Sequence, residues 1–164
     1  MQKEIDIEQV KQGYETFIQG KKSCVLSLVD GEGKPFSSTT PFVRVNGKFY
    51  VYISRIAEHF QLMEQAQLVD LLCVADEAVT PNPFAAERAR WQCKPKHLGN
   101  EGYEDVFAAF NKLHNAKMME LLRTLDFSLF ELTSLEGRYV VGFGKAFTID
   151  IANDTLVHVV IDKK

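Results

Sequence analysis

From Gly47 to Ser54 apolar and polar positions alternate with a period of two, and then the period changes. Phe49, Val51 and Ile53 fall on one side, and Tyr50, Tyr52 and Ser54 on the other, as in a strand. Ile56, Phe60 and Met63 then recur at helical spacing, with Leu62 widening the stripe. The run Leu68 to Ala75 is almost wholly apolar, the pattern of a buried strand. The stretch Gly47 to Glu77 thus predicts strand, short helix, strand. Ser54 stands at the switch, where a helix start favours a hydroxyl cap. The free N–H groups of such a start also favour an anion, so Ser54 is read either as a plain cap or as part of an anion seat.

The same reading extends along the chain. Ile7, Val10, Tyr14, Phe17 and Ile18 predict an amphipathic helix over residues 5–19, stopped at Gly20. Lys22 to Val29 and Lys34 to Val45 read as two strands around the turn Asp30-Gly31-Glu32-Gly33, and Pro41 predicts an edge position or a bulge. Asn46-Gly47 predicts a tight hairpin into the third strand. After the break Thr80-Pro81-Asn82-Pro83, the segment Glu87 to Lys94 alternates. Arg88, Arg90, Gln92 and Lys94 share one face, and Ala89, Trp91 and Cys93 share the other. A long helix is predicted over 101–123, capped by Asn100, with Val106, Phe107, Phe110, Leu113, Met118, Leu121 and Leu122 as its apolar stripe. Asp126 to Leu132 reads as a strand and Leu135-Glu136-Gly137 as a turn. Two more strands follow, Arg138 to Phe143 and Lys145 to Asp150, joined or bulged through Gly142 and Gly144. Leu156 to Ile161, which contains His158, is the last. The pattern predicts a mainly β, α+β architecture of seven or eight antiparallel strands with accessory helices, which closes as a small barrel.

Composition narrows the class. A chain of 164 residues defaults to one domain, 1–164, with enough length for a real core. Hydrophobic content of 46% and charged content of 25% are those of a soluble globular protein. A net charge of -3 argues against nucleic-acid binding. No apolar run is long enough for a membrane span, and the start MQKEIDIEQVKQ is too polar for a signal peptide, so a cytoplasmic location is expected. Cys24, Cys73 and Cys93 form no CxxC pair and read as buried thiols rather than a zinc site. No acid–base dyad or nucleophile triad is visible, which disfavours hydrolysis. His97 and His114 read as surface histidines. The row Arg88, Arg90, Gln92, Lys94 is either a solvated face or a seat for carboxylate or phosphate groups.

Five segments carry a resemblance: PFVR (Pro41–Arg44), FYVYIS (Phe49–Ser54), A-x-H (Ala57–His59), ERARWQC (Glu87–Cys93) and GRYVVGFGKAF (Gly137–Phe147). In this order, over about two thirds of the chain, they resemble the pyridoxamine 5'-phosphate oxidase-like, FMN-binding split-barrel family, and within it the haem-utilisation, haem-degrading branch. The resemblance implies a split β-barrel homodimer with the ligand in a cleft between two barrels, and Trp91 or its neighbours near the interface. It implies a haem-binding protein of iron acquisition that opens the ring oxidatively and releases iron, using an external electron donor. An FMN-dependent oxidoreductase and a non-catalytic haem store or carrier are the alternatives. Carried over by residue, Ser54 lies where an FMN phosphate would sit, His59 belongs to the ligand pocket, and Arg88, Arg90 and Lys94 face the acidic groups of the ligand. His158 is the candidate iron ligand, and Asp126 approaches it from across the dimer.

Overall fold

The computed structural model describes residues 4–160. Eight antiparallel strands follow the order β3-β2-β1-β4-β5-β6-β7-β8, where β1 is Ser23–Val29, β2 Pro35–Val45, β3 Lys48–Ser54, β4 Val69–Val74, β5 Arg88–Gly99, β6 Phe127–Val140, β7 Ala146–Asp150 and β8 Thr155–His158. Pairing of β3 with β6 closes the first six into a barrel, while β7 and β8 extend from the far part of β6. Closure pairs β3, which would otherwise be an edge strand, on both sides, and leaves β8 as the edge of the extension.

The period-two patterns decide which side of each strand is inside. Phe49, Val51 and Ile53 enter the main core with Leu26, Leu71, Trp91, Phe130 and Tyr139, whereas Tyr50 and Tyr52 lie under a second cluster. That cluster is built by α3 (Glu104–Leu113) and α4 (Ala116–Arg123) through Val106, Phe107, Phe110 and Met119. Strand β3 is therefore covered on both faces. The other helices are α1 (Ile7–Gln19), which drops Tyr14, Phe17 and Ile18 onto the barrel, and α2 (Glu58–Gln65), which contributes Phe60 and Met63. Asp6 caps α1 by accepting from the Gln9 N–H at 3.1 Å.

Several sequence expectations change. The helix expected over 101–123 breaks in two at His114 and Asn115, because Asn115 turns its side chain to the Met118 N–H and starts a new helix. Met118 and Leu121 consequently face solvent. Asn100 caps no helix; it accepts from the Tyr52 hydroxyl at 2.7 Å and donates to the Phe127 carbonyl. Leu135-Glu136-Gly137 is not a turn, and the two flanking strands are one, β6. A register shift opposite Gln92 and Cys93 leaves Leu135 unmatched. This single extra residue swaps the parity of β6, so that Leu132 before it and Tyr139 after it both point inward. Pro41 lies where β2 exchanges β1 for β3 as partner, a place where a missing N–H interrupts least. Trp91 is 1% exposed in the barrel core, so of Trp91 and its neighbours it is the exposed Arg90 that can offer surface to a partner. The last predicted strand ends at His158, and its Ile161 end lies outside the described residues.

Asn46 and Gly47 have φ of 50° and 76°, the left-handed pair that a two-residue hairpin demands. Gly137 is constrained by space instead. A Cβ there would lie 2.7 Å from Ile149 Cδ1, 2.9 Å from Trp91 Cδ1 and 3.1 Å from the Arg90 carbonyl oxygen. Gly137→Ala is therefore expected to destabilise the barrel by about 1–3 kcal/mol through overpacking, measured as a lower urea midpoint. An unchanged midpoint would show that Ile149 gives way freely.

Candidate functional site

The strand-to-helix switch is held by side chains rather than left open. The Ser54 hydroxyl lies 2.9 and 3.1 Å from the two carboxylate oxygens of Asp126, to which it donates, and it accepts from the Ile56 N–H at 3.3 Å. The Arg55 N–H donates to the Asp126 carbonyl at 3.2 Å. Ser54 therefore does not cap α2, whose N-cap is Ala57 with no side-chain bond. Ile56, expected in the apolar stripe, precedes the helix and is 91% exposed. The carboxylate at Ser54 also makes the spot hostile to a second anion.

His59 is half-buried, with Nδ1 2.5 Å from the Ser38 hydroxyl of β2. Burial pushes its pKa below the ordinary imidazole value, so at neutral pH it is an uncharged ring with a lone pair to offer.

On β5, Arg88, Arg90 and Lys94 all face outward and are exposed, as the alternation predicted. Arg90 forms an ion pair with Asp70 of β4 at 2.7 Å, and Arg88 donates to the Ala86 carbonyl at 2.9 Å. The register adds a residue that the segment patterns did not single out: Arg138 of β6 lies directly beside Arg90 and is exposed. Three guanidinium groups and two carboxylates, Asp70 and the exposed Glu136 opposite Gln92, thus share this outer face. Asp70 was hidden inside an apolar run, and only strand pairing reveals that it neutralises Arg90.

His158 ends β8. Its Nε2 lies 3.0 Å from the Gly144 carbonyl, and its ring packs 5.2 Å from the ring of Phe147, its cross-strand partner. A carbonyl can only accept, so this bond places the proton on Nε2 and leaves the lone pair on Nδ1. The ring lies on the same side of the sheet as Phe147 and Tyr139, which face the core. Arg88 and Arg90 lie on the opposite side. Asp126 precedes β6 and His158 lies level with its far end, on the order of 40 Å away along the strand at about 3.3 Å per residue. The structure thus brings Ser54 to Asp126 and Arg88 to Arg90, and leaves His59, Lys94 and His158 apart from both pairs and from one another. His97 and His114 are accounted for by packing. The first stacks on Phe130 at 4.8 Å and meets Glu64 at 3.3 Å; the second is 3.2 Å from the Phe42 carbonyl.

A cavity of about 860 Å³ opens between α1, β2 and α3, lined by residues that include Glu15, Phe42, Arg44 and Lys112. Phe42, Val43 and Arg44 of the PFVR segment line it, but none of Ser54, His59, Arg88, Arg90, Lys94, Asp126 and His158 does. No cluster of metal-ligating side chains occurs among the described residues, and no helix among them is long and apolar enough to cross a membrane.

A six-stranded antiparallel barrel with the β3–β6 closure, a helix following the third strand and a basic outer strand defines the split-barrel class of pyridoxamine-phosphate-oxidase-like proteins. The chain belongs to the haem-utilisation branch of that family. The haem oxygenase HutZ of Vibrio cholerae serotype O1 is 30% identical over 143 residues, which cover 86% of this chain and 80% of that protein. The crystal structure of V. cholerae HutZ, a haem storage protein, superposes with a TM-score of 0.70 at 27% identity, covering 75% of this chain and 88% of that one. Campylobacter jejuni ChuZ superposes with a TM-score of 0.86 at 25% identity, over 98% of this chain and 68% of that one. A Clostridium acetobutylicum protein of the pyridoxinephosphate oxidase family, 14% identical, shares the fold with a TM-score of 0.66 over 91% of this chain and 99% of its own. No family model matches the chain.

Proposed function

We propose that this chain is a haem-binding protein of iron acquisition that degrades haem oxidatively, with the ring held between two copies of the chain. The observation that carries the proposal is the match to a haem oxygenase along 86% of the chain. The layout of the candidate residues supports a shared site. An imidazole on one side of the sheet, arginines on the other and an aspartate at the far end of β6 cannot surround one ligand within a single chain. Two copies facing each other can bring them together.

The donor set fits haem. His158 offers an imidazole lone pair on Nδ1, its ring oriented by the Nε2–H bond to the Gly144 carbonyl, and Asp126 of a second copy is assigned a place beside that ring, where its negative charge tunes the iron. Arg88 and Arg90 suit the two propionates, with Lys94 further along the same strand as an added positive charge. His59, uncharged and half-buried, lines the approach. When bound, haem supplies a redox-active iron that handles O₂, with electrons from an external donor. The FMN alternative asks Ser54 to meet a phosphate, and the Asp126 carboxylate already occupies that hydroxyl.

Titration with hemin, followed by absorption, tests the proposal. A sharp Soret band is expected, with verdohaem- or biliverdin-like products once reductant and O₂ are added. Flavin bands in the protein as purified would overturn it, and a stable Soret band under those conditions would make the protein a haem store. Arg88→Ala and Arg90→Ala are each expected to weaken hemin binding by about 1–3 kcal/mol. Arg88 should matter more, because Asp70 already offsets Arg90. Unchanged affinity in both variants would return the strand to a solvated face. Light scattering at micromolar protein should give a dimer, and a monomer would remove the shared cleft.

A further inference from the structure

The rings next to His158 do not stop at Phe147. Phe147 lies 6.5 Å from Tyr139, Tyr139 lies 5.3 Å from Tyr14, and Tyr14 lies 6.2 Å from Trp91. A continuous row of aromatic side chains thus leads from the candidate iron ligand into the barrel. Three of its members carry polar bonds that bare packing does not need. The Trp91 Nε1–H donates to the Tyr14 hydroxyl at 3.1 Å. The Tyr139 hydroxyl donates to the carboxylate of Glu87, the residue preceding Arg88. Tyr139 is fully buried, so Glu87 is a base placed against a phenol that water does not reach.

We infer that Tyr139 and Glu87 form a one-electron relay that takes an oxidising equivalent away from haem at His158. The inference rests on the haem reading above. The oxidant is hydrogen peroxide, reduced at the haem to two waters by two electrons and two protons: its O–O bond breaks, Tyr139 supplies one electron, the external donor supplies the other, and solvent supplies the protons. In the step, Tyr139 loses one electron toward the haem through Phe147, its O–H bond breaks, and the proton moves to Glu87, leaving a neutral tyrosyl radical and an uncharged carboxylic acid. The external donor that serves the haem returns the electron, and Glu87 returns the proton. An oxidised phenol must shed its proton, and a base within hydrogen-bond reach lets both leave together. Burial and the neighbouring carboxylate raise the Tyr139 pKa far above the ordinary tyrosine value, and burial pushes Tyr14 up to about 12. Neither ring loses its proton before oxidation, so the carboxylate has a task that a deprotonated phenol would not leave it.

The consequence is protective. An equivalent not used on the haem ring is drawn to a defined, reducible site. It does not go to Cys24, Cys73 or Cys93, which share the same core.

The test uses electron paramagnetic resonance on the hemin-loaded protein, frozen after mixing with hydrogen peroxide. A tyrosyl signal is expected, lost in Tyr139→Phe and unchanged in Tyr103→Phe, which removes an exposed tyrosine. Glu87→Gln keeps the shape and removes the base. It should slow the appearance of the radical and erase its solvent deuterium isotope effect. A second arm oxidises the haem-free protein with a photogenerated ruthenium(III) complex and reads the same residues. A signal that survives Tyr139→Phe, or kinetics indifferent to Glu87→Gln, would overturn the relay. So would a Tyr139 radical seen with ruthenium but absent with hemin and peroxide while the Soret band is intact. A missing Soret band is the failure of the haem reading instead, and the ruthenium arm then still decides whether Tyr139 and Glu87 act as a pair. Circular dichroism of Tyr139→Phe confirms that the barrel is kept.

Discussion

Hemin added to a His158→Ala variant is expected to lose the imidazole-ligated Soret signature, and haem breakdown should stop with it. The Nε2–H of His158 is committed to the Gly144 carbonyl at 3.0 Å, which orients the ring and leaves Nδ1 as the coordinating atom. A ring steered by a fixed hydrogen bond has the second-layer support typical of a metal-binding histidine. Stability should fall by no more than about 1 kcal/mol, since one partly exposed hydrogen bond and limited packing are lost. Loss of spectrum without loss of fold would therefore identify a ligand. His59→Ala is the comparison and should cost only affinity, because its Nδ1 is already held by Ser38. The reverse outcome, with the signature lost in His59→Ala and kept in His158→Ala, would place the ligand on α2. If neither substitution matters and the protein is yellow as purified, the haem proposal falls and FMN takes its place.

Trp91→Ala should give the largest change in stability. The indole is 1% exposed, lies 4.7 Å from the Phe49 ring and donates its N–H to Tyr14 at 3.1 Å. Removing it empties the centre of the barrel and leaves the Tyr14 hydroxyl without its donor. The expected cost is about 3–5 kcal/mol, set against a total of about 5–15 kcal/mol for an ordinary domain. Urea denaturation should show a large drop in midpoint or no folded baseline at all. Trp91→Phe should recover much of the loss, because it refills most of the volume. A Trp91→Ala variant within about 1 kcal/mol of the parent would mean that the barrel does not close around this residue. If the Trp91 ring itself formed interface surface, dimer affinity would change first; the core position predicts that folding changes first.

Local rules account for most of the architecture. The alternation Phe49, Val51, Ile53 against Tyr50, Tyr52, and likewise Ala89, Trp91, Cys93 against Arg88, Arg90, determined which side of each strand enters the core, because a strand has only two faces. Asn46-Gly47 determined a tight hairpin, because only residues tolerant of positive φ can make it. These are properties of neighbours in the chain. Leu135-Glu136-Gly137 has the composition of a turn and is instead a bulge in a long strand, since β5 runs alongside on one edge and supplies the partners that continue it. The break between α3 and α4 came from Asn115 choosing a backbone N–H over helix continuity, a competition that an apolar stripe does not register.

For the site, the sequence by itself determined the residue types: a late histidine, a basic strand, a serine at a strand-to-helix switch. Only the tertiary structure decided what each of them touches. Asp126 lies 72 residues from Ser54 in the chain, yet it takes that hydroxyl and turns a possible anion seat into an acidic one. Asp70 reaches Arg90 across two strands, Glu87 meets Tyr139 at a separation of 52 residues, and the Gly144 carbonyl sets the tautomer of His158. Charge balance and proton position depend on distances of about 3 Å between groups, and such distances are properties of strand pairing and closure, which no local period encodes.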